Sequence, residues 1–262
     1  MTQDLSPSDR AKYACARRAA DFVESGMKVG LGTGSTAAFL VKALGEMVRD
    51  EGLLFEAVPT STRTAELARA EGIVVKTLDE VGLLDLTIDG ADEFDAELTL
   101  IKGGGGAHLQ EKIVATASKR MVVIADVSKD VAVLGKFPLP VEVIPFGLEA
   151  SRSLIQDVLG ALGYSNIEIT MRMAGDTPFV SDEGNRILDL HLGQIADATQ
   201  LSAALNQVPG VVENGLFINI ASAVVIGHED GTAVTRDLLR GTETSENVFA
   251  ADNLFANIGD AS

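Results

Sequence analysis

Apolar positions recur along this chain at two spacings. Ala11, Ala14, Cys15, Ala19, Phe22 and Val23 follow a helical interval after a Ser6-Pro7 start, which predicts a helix closed by Gly26. Short unbroken runs at Met27–Leu31, Leu54–Val58, Ile73–Lys76, Leu84–Ile88, Leu98–Ile101 and Arg120–Ala125 predict buried strands. Helices are expected between several of them, from the glycines after Leu31 to about Arg49, over Thr60–Glu71 and over Ala107–Ser118. Strands alternating with helices predict an open α/β sheet. The character changes at Gly135-Lys136-Phe137-Pro138-Leu139-Pro140. Beyond it the pattern gives strand Val141–Ile144, helix Ala150–Leu162, strand Ile167–Met173, strand Ile187–Leu192, helix Leu201–Val208 and strand Gly215–Ala221. That βαββαβ order fits a small split-βαβ, ferredoxin-like α+β domain. The expected division is an α/β domain over 1–135 with a return segment over about 211–240, a small domain over 136–210, and an acidic tail over 241–262. The tail reads as loosely held, although Phe249, Leu254 and Phe255 offer apolar groups for docking on a neighbour.

Ligands in open α/β sheets bind where strands release their carboxyl ends into loops. Four predicted strands end in polar clusters. Leu84–Ile88 runs into Asp89-Gly90-Ala91-Asp92-Glu93, and Leu98–Ile101 into Lys102 and four glycines followed by a helix that carries Glu111. Carboxylates, an ammonium and a glycine loop together suit proton transfer on a bound anion. After Met27–Leu31 comes Gly32-Thr33-Gly34-Ser35-Thr36 and a helix, an arrangement that offers free N–H groups and a positive helix end to an anion. A dinucleotide is the rival ligand there, but the next strand ends in Pro59-Thr60-Ser61, without the acid a ribose needs, and no Gly-Lys-Ser/Thr signature follows. A small phosphorylated ligand, held by the hydroxyls of Thr33, Ser35 and Thr36 and nearby amides, fits better. The fourth end supplies Asp126, read as a turn or cap residue, then Ser128 and Lys129. Lys12 lies in a first helical turn that could face the same strand ends, though its position alone favours an ordinary surface lysine.

Charge narrows the partners. With 38 acids against 21 bases the formal net charge is −17, which argues against nucleic acid. Cys15 is the only cysteine, so an intrachain disulfide and a thiolate metal cluster are excluded, and His108, His191 and His228 lack metal-ligand spacing. The 46% apolar content supports a substantial core, yet no run approaches the ~20 residues of a membrane helix. The start shows no secretory pattern, so a soluble, cytoplasmic protein is expected.

Taken together, GLGTGST, DGADE, KGGGGAHLQEKI and IADVSK followed by LGKFPLPVEVIP resemble the type A ribose-5-phosphate isomerases, and the resemblance runs from Lys12 to about Gly231. It implies a Rossmann-like domain with a smaller α+β domain, a homodimer or homotetramer, and interconversion of ribose 5-phosphate and ribulose 5-phosphate without metal or organic cofactor. Carried across by motif, the ligand turn is Thr33, Gly34, Ser35 and Thr36, the acidic loop Asp89, Gly90, Ala91 and Asp92, and the glycine loop Lys102, Gly103, Gly104 and Gly105. Glu111 matches the proton acceptor, Lys129 a substrate contact and Lys12 a basic residue lining the site. This chain has Gln110 where the family more often has Arg.

On this reading Glu111 moves a proton between adjacent carbons through an enediolate, stabilised by Lys102 and glycine-loop amides. Asp89 shuttles protons between sugar oxygens and Asp92 holds hydroxyls, two assignments that are interchangeable at this stage. His108 is expected near the site, solvated or capping. Two alternatives differ in class: a coenzyme A transferase-like enzyme with Glu111 as nucleophile, and a non-catalytic sugar-phosphate-binding module.

Overall fold

The structure is a computed structural model that describes residues 5–250. The chain runs through α1 (Pro7–Ala20), β1 (Lys28–Leu31), α2 (Ser35–Glu46), β2 (Glu56–Pro59), α3 (Thr62–Ala70), β3 (Val74–Val75), α4 (Leu78–Val81) and β4 (Leu86–Gly90). It continues with β5 (Glu93–Phe94), β6 (Leu100–Ile101), α5 (His108–Thr116), β7 (Met121–Asp126), β8 (Leu139–Val143), α6 (Leu148–Ala161) and β9 (Ile169–Met171). Then come β10 (Met173–Ala174), β11 (Thr177–Pro178), β12 (Arg186–Leu190), α7 (Ala198–Leu205), β13 (Val211–Asn214), β14 (Leu216–Phe217), β15 (Ala221–Gly227), β16 (Thr232–Asp237) and β17 (Thr242–Asn247).

Two units divide the described residues. The first holds the chain up to Gly90, Val114–Lys129, and everything from Ala221 on; the second holds Ala91–Ile113 and Asp130–Ile220. The first unit is built on an eight-stranded sheet in the order β17-β16-β15-β7-β4-β1-β2-β3. From β15 to β3 every neighbouring pair is parallel, while β16 and β17 add antiparallel strands at one edge. Strand β7 is an apolar run buried on both faces, as a central parallel strand must be, whereas β16 alternates buried and half-exposed positions as an outer antiparallel strand does. Ser6 caps α1 by accepting from Asp9 N–H, with Pro7 in its first turn. The buried face of α1 is Ala11, Ala14, Cys15, Ala16, Ala19 and Ala20, all small. That face lets α1 press onto β15: a Cβ on Gly227 would stand 1.8 Å from the Ala11 carbonyl oxygen. Burial and the nearby Asp126 push the Cys15 thiol up to about 12, so it packs as a small inert apolar group.

In the second unit a four-stranded sheet, ordered β13-β8-β12-β9, has only antiparallel neighbours. Its sequence β8-α6-β9-β12-α7-β13 is the split-βαβ order. Leu139, Val141, Val143, Leu188 and Leu190 face a core shared with Ile155 and Leu159 of α6 and Leu201 and Leu205 of α7. By the two-residue period of a strand, Pro140, Glu142, Ile187, Asp189 and Thr170 occupy the other face.

Several expectations change. Strand β6 is not in the large sheet; it pairs with β5 and β14 in a separate three-stranded sheet of the second unit. Two apolar residues have no period of their own, so only the partner strand decides their sheet. Residues 91–113, expected in the first domain, therefore belong to the second unit. The chain rejoins the first unit at Ala221 rather than near Val211, because Val211–Asn214 supplies the last strand of the small sheet. Helix α1 ends at Ala20, before Gly26. Thr242–Asn247, expected to be loose tail, forms β17 by pairing along all of β16, and Val248 and Phe249 are buried. Leu254 and Phe255 lie outside the described residues.

Candidate active site

In the first unit the parallel strands follow the order β3-β2-β1-β4-β7-β15, so the strand order is wound in opposite senses on either side of the parallel pair β1 and β4. The crevice at the carboxyl ends of such a pair is where an open α/β sheet takes ligands. Gly32 to Thr36 leave β1 there, and Asp89 and Gly90 end β4. Gly32 N–H donates to Ile88 O at 3.0 Å, and a Cβ on Gly32 would lie 1.9 Å from Asp89 Oδ1. Only glycine allows that approach. Asp89 is fully buried, and its Oδ1 accepts from Gly90 N–H at 2.7 Å and Thr33 N–H at 3.2 Å. The carboxylate thus fixes the turn between β1 and α2. Gly34, at φ +126°, supplies no side-chain cap to α2, so the N–H groups of the first turn face outward without one.

Thr33 is held from the other side. Its Oγ1 lies 2.8 Å from the hydroxyls of Thr60 and Ser61 and 3.2 Å from that of Thr64. This hydroxyl cluster was signalled in the sequence only by Pro59-Thr60-Ser61 at a strand end. Ser35 and Thr36 begin α2, with Ser35 exposed. Lys12 stands in the first turn of α1, its Nζ 3.4 Å from Asp9 Oδ1. Lys129 ends a single 3₁₀ turn after β7, where Asp126 Oδ1 accepts from Ser128 N–H at 2.9 Å in the capping role expected of it.

The second unit holds the other group. Lys102 follows β6 and anchors its N–H on Gly215 O at 2.9 Å. Its Nζ lies 3.2 Å from Glu111 Oε2, with side-chain exposures of 3% and 4%. The pair is therefore almost wholly removed from water. The ammonium also sits 5.4 Å from the centroid of the Phe217 ring, whose environment includes Lys112 at 5.0 Å. Lys112 donates to Asn214 O at 2.7 Å and pairs with Glu213 at 3.0 Å; burial holds its ammonium below the usual lysine range.

Between Lys102 and α5 lies the glycine loop. Gly103 adopts φ +109°, where a Cβ would meet His108 Nδ1 at 2.8 Å. Gly104 N–H donates to Asp92 Oδ2 at 2.7 Å. Arg172, just beyond β9, donates from Nη1 to the carbonyls of Gly103 and Gly104, the latter at 3.1 Å. Its Nε and Nη2 grip the carboxylate of Asp189, with Nε to Oδ2 at 3.0 Å. Sequence reading missed Arg172, which occupies a polar position of an alternating run just as Glu168 does and carried no signal of its own.

His108 departs from expectation. It is fully buried rather than solvated, and burial first, with the nearby charges of Lys112 and Arg172, holds its pKa down to about 3. Its Nε2 lies 4.0 Å from Glu142 Oε2. Burial pushes Glu142 above the ordinary carboxylate range, while its Oε1 accepts from Ser181 Oγ at 2.7 Å and Asn185 Nδ2 at 2.9 Å. Gln110 donates to Glu183 of the Asp182-Glu183-Gly184-Asn185 turn.

Of the expected residues, Lys12, Thr33, Gly34, Ser35, Thr36, Asp89, Gly90 and Lys129 fall in the first unit, with Thr33 and Asp89 in direct contact. Ala91, Asp92, Lys102, Gly103, Gly104, Gly105 and Glu111 fall in the second, with Lys102 on Glu111 and Asp92 on Gly104.

Residues 56–231 match the family model for ribose 5-phosphate isomerase A (phosphoriboisomerase A). A ribose-5-phosphate isomerase A from Ruegeria pomeroyi is 61% identical over 262 residues, covering 99% of this chain and 100% of that protein. The solved ribose 5-phosphate isomerase A of Methanocaldococcus jannaschii is 41% identical with a TM-score of 0.78, covering 88% of this chain and 100% of that one. A D-ribose-5-phosphate isomerase solved in complex with phospho-erythronic acid is 35% identical with a TM-score of 0.78, covering 92% and 99%. A match of this extent to family model, sequence relatives and folds carries the assignment: the chain belongs to the ribose-5-phosphate isomerase A family.

Proposed function

We propose that Glu111 is the general base of a ribose 5-phosphate–ribulose 5-phosphate isomerase, and that Lys102 is its electrostatic partner. The observation that carries this reading is the buried Lys102–Glu111 pair at 3.2 Å, on the loop and helix that the family motif marks. As Glu111 takes the proton from the carbon beside the carbonyl, its negative charge passes to the enediolate oxygens. An ammonium within 3.2 Å of the carboxylate compensates either location of that charge. The Gly105 N–H group completes the stabilisation. Glu111 then returns the proton one carbon away, and no redox cofactor is consumed.

The phosphate is assigned to the first turn of α2 and the hydroxyls of Ser35 and Thr36, with Lys12 and Lys129 as counter-charges. Thr33 contributes its backbone and orients the turn, since its hydroxyl serves the Thr60–Ser61–Thr64 cluster. Asp89 supports that turn and shuttles protons between sugar oxygens, whereas Asp92 tethers the glycine loop and accepts from a substrate hydroxyl. The solved relative that carries phospho-erythronic acid, a phosphorylated sugar acid, supports this substrate class. The reading includes a cytoplasmic homodimer or homotetramer. Mixing the protein with ribose 5-phosphate and following ketose formation tests it: turnover is expected, and its absence would overturn the reading.

A further inference from the structure

The glycine loop carries almost no side chains, so something outside it must set its peptide planes. Gly103 at φ +109° and its three glycine successors carry a large entropy cost of ordering, with no side chains to pack in return, although Gly106 lies close against the Phe179 ring. Arg172 supplies a constraint from outside the loop, beside the turn bond from Gly106 N–H to Gly103 O at 3.0 Å. Its guanidinium is planar and spends one edge, Nε and Nη2, on the Asp189 carboxylate, and both hydrogens of Nη1 on the carbonyls of Gly103 and Gly104. Asp189 stands on the face of the small sheet opposite α6 and α7, one strand in from Arg172, and fixes the plane in which the fork lies. The side chains are 14% and 15% exposed, so water competes little for these donors.

The geometry has a direct consequence. In a planar trans peptide the carbonyl and the following N–H point opposite ways. Aiming the Gly103 carbonyl at Arg172 turns Gly104 N–H to the other side, where it meets Asp92 Oδ2 at 2.7 Å. The Gly104 carbonyl, also on Arg172, likewise turns Gly105 N–H away from the guanidinium.

We infer that Arg172, braced by Asp189, is a positioning residue that holds the Gly104 amide on Asp92 and presents the Gly105 amide to the developing enediolate oxygen. The inference rests on the isomerase reading above, which gives the Gly105 amide an oxyanion to bind. A lysine at this position keeps the charge but has no planar fork, so R172K isolates geometry from electrostatics.

The test compares the parent with R172K, R172M and D189N. A loop displaced by about 1 Å costs roughly 10²-fold, so kcat should fall by about that factor in R172K and R172M alike, with KM within about threefold. D189N should fall by about tenfold, because the fork persists with its brace weakened. Phospho-erythronic acid, whose planar carboxylate resembles an enediolate, should lose inhibition in parallel with kcat/KM, while inhibition by inorganic phosphate stays at the parent level. Parent-level kcat in R172K would overturn the inference, as would equal losses for both inhibitors. If the parent itself fails to turn over ribose 5-phosphate, the functional reading fails separately. Amide exchange at Gly104 and Gly105 then still decides the clamp: faster exchange in R172K and D189N supports it, and an unchanged rate overturns it.

Discussion

At the scale of single residues, burial rather than proximity in sequence decides what each titratable group does. His108 sits beside the glycine loop, yet burial holds it neutral down to about 3, so it packs instead of exchanging protons with substrate. The sign of its contribution follows. Between about 6.5 and about 3 the unfolded chain takes up a proton that the folded chain refuses, so stability from this group falls as pH falls through that window and is constant above it. The ring carbon resonances of His108 should therefore stay fixed from pH 8 to pH 5; a midpoint near 6.5 would contradict the buried placement. Gly32 makes a second residue-level test. A methyl there would need the space of Asp89 Oδ1, 1.9 Å away, so G32A should shift the turn that carries Ser35 and Thr36 and raise KM for ribose 5-phosphate by at least about tenfold. Parent KM and kcat in G32A would mean that the turn is not the phosphate site. Both residues were visible in sequence, but in different degrees. Gly32 stood in a glycine run after a strand, where its role is local. His108 needed partners 34 and 105 positions away, Glu142 and Glu213, that no local pattern announces.

At the scale of elements, legibility tracked length and periodicity. The helices α1, α2, α3, α5, α6 and α7 and the strands β1, β2, β3, β4, β6, β7, β8, β9 and β12 came from helical spacing or apolar runs. The run expected at Gly215–Ala221 covers only β14; β13, β15 and β16 were missed, as were pieces whose form depends on a partner: β5 and the β10–β11 hairpin are two residues each, and β17 is polar and exposed throughout. A strand such as Thr242–Asn247 has no hydrophobic signal at all; it exists because β16 offers an edge of backbone groups to pair with. The consequence concerns the chain end. Phe249 is buried beside Tyr13, with ring centroids 5.9 Å apart, and Arg10 lies 4.9 Å from its centroid. F249A should destabilise the fold by about 3 kcal/mol. Truncation before Gly241, which the composition alone marks as harmless, should lower the thermal midpoint further than F249A. Chemical denaturation checks the first and calorimetry the second; an unchanged midpoint in the truncated chain would show that β17 adds nothing to the sheet.

At the scale of the whole molecule, two features were legible early: an open α/β sheet with anion-binding chemistry at its strand ends, and a split-βαβ unit. The boundary between them was not, because it runs inside the stretch 84–118 that reads as one continuous α/β segment; the units in fact part after Gly90 and again between Ile113 and Val114. The formal charge of −17 makes local cations necessary for any anionic substrate, and Lys102 is the one placed against the proposed base. The central claim, a proton carried between two carbons by the Glu111 carboxylate, is tested most directly by E111Q in deuterated water. The swap leaves Lys102 buried without its counter-charge, so a loss of about 3–5 kcal/mol in stability is expected, and measurements belong well below the midpoint. Ligand binding should largely survive, since the phosphate contacts lie elsewhere, while turnover falls by at least about 10²–10⁴. Deuterium should cease to enter the carbon beside the carbonyl. If E111Q binds ribose 5-phosphate and still exchanges that proton at the parent rate, Glu111 is not the base and the account fails.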